Sequence, residues 1–206
     1  MKILKLTILF LTMLTLTNCA SGYKTIEPAS LQFLSTSEAD GIKLEYRYNL
    51  LDKKYAKKEI KKGVRLVAVK VTNNSTKDIT FGKDVVLGFD NGSEAYVFDN
   101  NYTTKTLKQG TLSYLFYLLL TPLNLYTYDT SSYGGQEVTS STPVGLILGP
   151  GLAGGNMIAA GSANKKFETE MTNYNINGAV IKKGETKYGL LGIKADGFDA
   201  LKLIVK

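Results

Sequence analysis

The stretch "IKLEYRYNL" (residues 42–50) sets Ile42, Leu44, Tyr46, Tyr48 and Leu50 at every second position, with polar residues between them. Strand side chains alternate between two faces, so this pattern predicts a strand with one face in a core and the other in water. "VRLVAVKVTNNS" (64–75) follows, with Val67, Val69 and Val71 on one face and turn chemistry at Asn73-Asn74-Ser75. "DVVLGFDNGSEAYVFD" (84–99) carries Asp90-Asn91-Gly92 between apolar runs. Those residues accept positive φ and signal a hairpin. Residues 31–100 therefore read as strands. Residues 178–206 resume the style, with three short strands split by Lys183-Gly184-Glu185 and Asp196-Gly197, and with Leu201, Leu203 and Val205 facing one way. Seven or eight short antiparallel strands with spaced turns predict a mainly β fold, an antiparallel β-sandwich.

A block between them does not fit a sandwich. No residue is charged from Gly110 to Tyr128, nor from Val138 to Asn164, and "DTSSYGGQE" (129–137) separates the two like a hairpin tip. The expectation is an inserted apolar helical hairpin, the whole insertion covering about 103–177. Beyond Asn164, Phe167, Met171 and Tyr174 fall at i, i+4 and i+7. That spacing predicts one amphipathic helix, ending at Asn177-Gly178 and packing on the sandwich. The run "DKKYAKKEIKKG" (52–63) holds six lysines and two acids. It reads as a solvated hairpin tip, with attraction to anionic lipid headgroups as the sharper alternative.

"PVGLILGPGLAGGNMIAAGSA" (143–163) contains a G-x-G-x-x-G at Gly149, Gly151 and Gly154. A dinucleotide loop needs flanking βαβ units, and the chain supplies antiparallel hairpins instead, so that reading is rejected. On a helix, Gly151, Gly155, Ala159 and Ala163, with Gly145 and Gly149 spaced likewise, form a smooth stripe that admits close approach of another helix. Its natural partner is "TLSYLFYLLLTPLNLYTY" (111–128), whose tyrosines 114, 117, 126 and 128 suit a membrane interface. The first stretch is solidly apolar only from Tyr114 to Leu120, short of the ~20 residues a span needs. Pro143, Pro150, Asn156 and the glycines oppose insertion of the second. Three readings stay open, in this order: burial within protein, contact with a membrane interface, and a spanning hairpin. The candidate contact surface is Tyr114, Phe116, Tyr117, Leu119, Gly151 and Gly155.

The chain starts "MKILKLTILFLTMLTLTNC" (1–19), with Lys2 and Lys5 before an apolar stretch, Ile8 to Leu16, of secretory length. Leu16-Thr17-Asn18-Cys19 resembles the lipobox of bacterial lipoproteins, of the Bacteroidetes type that tolerates Asn18, and Cys19 is the chain's single cysteine. The resemblance implies a signal peptide over 1–18, cleavage before Cys19 and diacylglycerol on its sulfur. A lipidated linker (19–30) and one β-sandwich domain (31–206) would follow. The membrane is then a partner through acylated Cys19. Ala20 and Ser21, neither acidic, imply the outer membrane facing the periplasm, with the cell surface left open. "VRLVAVKVTNNSTKDITF" (64–81) and "VIKKGETKYGLLGIK" (180–194) resemble Ig-like modules of bacterial lipoproteins of unknown role. That resemblance implies binding or assembly rather than catalysis.

The absence of histidine, and of any cysteine besides Cys19, removes His-based triads, Cys nucleophiles and ordinary zinc or copper sites. Two S-x-x-K matches, at Ser21–Lys24 and Ser162–Lys165, lack the companion motifs of serine acyl-enzymes. Asp84, Asp90, Asn91 and Glu94 would have to meet to hold a cation, and "DNG" already explains itself as a turn. The net charge of +7 falls to +5 once Lys2 and Lys5 are removed, with lysines spread throughout. No compact Arg/aromatic patch suggests nucleic acid. The expectation is a lipid-anchored, non-enzymatic binding or envelope-assembly module with no catalytic residue, cofactor or metal. It would contact an envelope protein or its own copies through the apolar hairpin. The alternative is a membrane-embedded protein that oligomerises through residues 111–163.

Overall fold

A computed structural model describes residues 19–130 and 134–206; the leader and the hairpin-tip residues 131–133 lie outside the described residues. The chain divides into two compact units. Unit 1 takes in the residues up to Gly22 and Gly110–Ser162, and unit 2 takes in Tyr23–Gln109 and Ala163–Lys206. Unit 2 holds the expected strands, and unit 1 holds most of the expected insertion.

In chain order, unit 2 begins with β1 (Ser35–Ala39), β2 (Ile42–Arg47), α1 (Lys53–Lys62) and β3 (Val64–Asn73). There follow β4 (Ile79–Thr80), β5 (Val85–Phe89), β6 (Val97–Phe98) and α2 (Asn100–Leu107). Unit 1 has a 3-10 segment (Leu112–Leu120) and the strands β7 (Leu125–Thr130) and β8 (Gln136–Thr142). Helix α3 (Gly145–Asn173) starts in unit 1 and ends in unit 2, which closes with β9 (Val180–Ile181), β10 (Thr186–Lys194) and β11 (Leu201–Val205). The main sheet runs β1-β2-β3-β10-β6, every neighbour antiparallel, beside the pairs β11-β5 and β4-β9. Helix and strand take comparable shares, so the scaffold is antiparallel β with substantial helical cover.

β3 explains that cover. Its Val67, Val69 and Val71 join Leu44, Leu87 and Leu203 in one core, which places β2 and β3 opposite β5 and β11. The alternate residues Val64, Leu66 and Ala68 pack in a second core with Tyr55, Phe167 and Met171. A strand covered on both faces reads as an almost continuous apolar run, which "VRLVAV" is. The register of β1 on β2 is set at Asp40-Gly41, with φ of 49° and 76°, a two-residue turn whose positive φ matches strand twist.

Several expectations are corrected. Residues 53–62 form helix α1 rather than a hairpin tip. Tyr55 and Glu59, one turn apart, are its buried face, and Gly63 takes the left-handed C-terminal position at φ 60°. Lys61 and Lys62 fall in its last turn, where the helix dipole favours cations. The turn at Asp90–Gly92 forms, with Gly92 at φ 87°, but its return arm makes only a bridge from Glu94 to Gly88. The chain then leaves and pairs as β6 with β10.

The amphipathic helix is present with Phe167 and Met171 fully buried, but it starts at Gly145 and ends at Asn173. The helical partner expected at 111–128 is instead the 3-10 segment followed by strand β7. Thr121-Pro122 interrupts the apolar run: Thr121 keeps helical backbone at φ −53° and ψ −39°, but Pro122 has no N–H to donate in a helix. The alternation Leu125-Tyr126-Thr127-Tyr128 then suits a strand. The stretch expected as a linker is packed in part: Ile26 is buried, and its N–H donates to both oxygens of Glu170 at 2.9 and 3.0 Å. The Tyr23 hydroxyl donates to the same carboxylate at 2.5 Å. That burial, with the Glu170 charge beside it, holds the Tyr23 hydroxyl far above its ordinary range.

Candidate functional site

Two surfaces carry chemistry, one in each unit. In unit 1 the small core consists of Tyr114, Tyr117, Ala153 and Ala160. Close approach of the 3-10 segment to α3 requires glycine. A Cβ at Gly145 would meet the Leu120 carbonyl oxygen at 2.2 Å, and one at Gly149 would meet Thr121 Oγ1 at 2.7 Å. The packing stripe of α3 is therefore Gly145, Gly149, Ala153 and Ala160, four to seven residues apart on one helix face. Gly151 and Gly155, expected to carry that stripe, are exposed and have open space where a Cβ would stand.

The large apolar side chains point the other way. Phe116 is 74% exposed, Leu119 74% and Ile147 78%. Fourteen of the twenty large hydrophobic residues exposed among the described residues belong to unit 1, the smaller unit. Of the expected contact residues, Phe116, Leu119, Gly151 and Gly155 are thus on the surface. Tyr114 and Tyr117 are buried, at 2% and 7%, and support the surface from beneath. Their rings stack at 6.5 Å.

Cys19 is exposed and belongs to unit 1. Its thiol hydrogen-bonds the Tyr117 hydroxyl, and burial together with that thiol raises the hydroxyl's pKa. The next residue is fixed as well: Ala20 N–H donates to Asn156 Oδ1 at 2.5 Å, while Asn156 Nδ2 donates back to the Leu152 carbonyl at 2.8 Å. Asn156, whose polarity argued against insertion, is a bracket for the residue after the cysteine.

In unit 2 an open groove of about 1180 Å³ lies between the end of α1, β6, the start of α2 and the loop after β10. Tyr96, Phe98 and Tyr102 form one wall: Phe98 stacks on Tyr102 at 4.6 Å and meets Tyr96 edge-on at 5.0 Å. Lys61, Lys62 and Lys194 line it together with Asp196 and Asp199. The loop is fixed from behind by Arg65, which donates to the Asp196 carbonyl at 2.5 Å and lies 4.7 Å over the Phe198 ring. Sequence reasoning missed this groove because it took 52–63 for a hairpin tip and so gave Lys61 and Lys62 no platform. The helix signal was legible in Tyr55 and Glu59 at i, i+4, followed by Gly63.

Asp84, Asn91 and Glu94, which would have to meet to hold a cation, have separate tasks. Asp84 accepts from Thr80 N–H at 2.7 Å, Asn91 closes its turn on Ser93 at 2.9 Å, and Glu94 pairs with Lys206 at 3.0 Å. Among the described residues no group of three or more His, Cys, Asp or Glu could hold a metal ion.

No family model, curated protein or solved structure matches this chain. The functional reading therefore rests on the residues and the geometry alone.

Proposed function

We propose that the chain is a lipid-anchored lipoprotein of the bacterial envelope, held in the outer membrane through Cys19 and facing the periplasm. It serves there as a non-enzymatic binding or assembly module. The observation that carries this is Cys19: it follows a secretory-length apolar leader in a lipobox-like context, and it is the one cysteine in the chain. Cys19 is exposed as a residue. The β scaffold is read as an Ig-like sandwich with helices added on the outer face. What supports that reading is the single apolar core shared by β2–β3–β10 and β5–β11.

The module's ligand-binding face is assigned to the unit 2 groove. Its aromatic wall and mixed charges suit a polar partner with flat apolar faces. A non-enzymatic role fits the lack of histidine and of a second cysteine. A self-associating membrane protein is the second reading, favoured by the open space at Gly151 and Gly155.

Metabolic labelling with a palmitate analogue tests the anchor. The wild-type chain is expected to take the label and fractionate with outer membranes, and Cys19→Ala to take none. Equal labelling of the two would defeat the reading.

A further inference from the structure

We infer that unit 1 is itself lipid-facing: the surface formed by Phe116, Leu119, Leu146 and Ile147 inserts into the leaflet that anchors Cys19, without crossing it. The choice of a bilayer as occupant rests on the lipid-anchor reading above; the inside-out packing of the unit stands apart from it.

The buried core of unit 1 is two tyrosines and two alanines, with Leu120, Leu152 and Met157 partly buried against it, while its isoleucines, Phe116 and most of its leucines are outside. Water penalises that arrangement. Hydrocarbon does not, because lipid tails are as apolar as leucine, and helices in lipid pack instead through small residues that let backbones approach. Gly145, Gly149, Ala153 and Ala160 are such residues. The segments 110–128 and 138–164 add no charge that would have to be removed from water. The β7–β8 hairpin extends the argument. It is a two-stranded sheet in which every residue of β8 is exposed, so neither face of that strand is covered. A lone hairpin of this kind is marginal in water, and Tyr126 and Tyr128 suit a headgroup layer.

Depth follows from Cys19. α3 is long and apolar enough to cross a membrane, and only 28% of its most apolar window is buried. The lipid on a modified cysteine begins at the boundary between headgroups and hydrocarbon. Ala20, the residue after Cys19, is bonded to Asn156, near the middle of the uncharged stretch 145–164. The midpoint of that stretch therefore sits at the boundary, whereas in a spanning helix it would sit at the bilayer centre. Lys165, Lys166, Glu168 and Glu170 follow immediately and stay out of the hydrocarbon. Unit 1 is thus a half-inserted body that adds a protein contact to the membrane hold of the acyl chains.

The test uses the mature chain, residues 19–206, carrying Cys19→Ala so that no acyl chain is present. It is mixed with vesicles of phosphatidylethanolamine and phosphatidylglycerol, 3:1, and floated on a density gradient. The chain is expected to float with the vesicles. The triple variant Phe116→Glu, Leu119→Glu, Ile147→Glu should lose at least tenfold in bound fraction while keeping its circular dichroism, since all three side chains are exposed. A Cys19→Ala chain that stays monomeric and unbound would overturn the inference. So would one that forms oligomers by light scattering without lipid and ignores the vesicles, which would point to a second copy on this surface. Flotation without cellular acylation of the wild type would remove the anchor reading and leave the lipid-facing unit standing.

Discussion

The two units of this chain solve burial in opposite ways. Unit 2 puts Val67, Leu44, Phe167 and Met171 inside and lysines outside, as a protein folding in water does. Unit 1 puts Ala153 and Ala160 inside and leaves Phe116, Leu119 and Ile147 at 74%, 74% and 78% exposure. The hydrophobic effect in water favours the first arrangement and opposes the second.

Truncating the shared helix inside unit 2 should give the largest effect. Phe167 is fully buried against Tyr23 and Tyr55, with ring centroids 5.3 and 5.4 Å away. Phe167→Ala is expected to cost about 3–5 kcal/mol of unfolding free energy in urea titrations. A comparable loss from Phe116→Ala would erase the contrast between the units, because Phe116 should contribute within about 0.5 kcal/mol in water.

Next comes the one strongly displaced carboxyl in unit 2. Burial raises the Glu59 pKa from 4.5 to about 7, against the Leu66 N–H, which donates at 2.7 Å, and the Arg65 charge, both of which lower it. The folded state favours the neutral acid. Its stabilising contribution is complete below pH 4.5 and is lost as pH rises through about 7. Glu59→Gln keeps an oxygen for Leu66 and removes the titration. It is expected to stabilise the chain by about 2–3 kcal/mol at pH 8 and by almost nothing at pH 4. A stability profile between those pH values that is unchanged by the substitution would refute this.

How much of this was legible follows the same division. The alternation in 42–50 and 64–75 revealed the strands because a core face and a water face leave opposite residue types at successive positions. Phe167 and Met171 revealed their helix for the same reason. The helical character of 145–164 was not fixed by any such pattern, since a helix with small residues inside and large apolar ones outside carries no polar stripe. The Gly151/Gly155 stripe was chosen by spacing alone. Gly145 and Gly149 have the same spacing, and only the close passage of residues 120–123 separates the two pairs. Helix α1 was hidden because its lysines dominate the composition, though Tyr55 and Glu59 marked its buried face.

That glycine contrast yields a smaller expectation. Gly145→Ala, which would bring its Cβ to 2.2 Å from a backbone oxygen, should destabilise the chain by roughly 1–3 kcal/mol. Gly151→Ala, with open space, should gain up to about 1 kcal/mol from helix propensity. Equal effects, read as urea midpoints, would mean that the 3-10 segment does not pack on the start of α3.

The chain contains no tryptophan, so a single introduced one reports its own surroundings. Phe116→Trp and, separately, Tyr96→Trp in the unit 2 groove would each be placed in the Cys19→Ala mature chain. Their fluorescence would be read on vesicles that contain phospholipids brominated along the acyl chain. The Phe116→Trp emission is expected to shift to the blue and to be quenched by bromine, while that of Tyr96→Trp stays unchanged. If neither is quenched in chains that retain their fold, unit 1 does not enter the bilayer, and its exposed leucines await a protein partner.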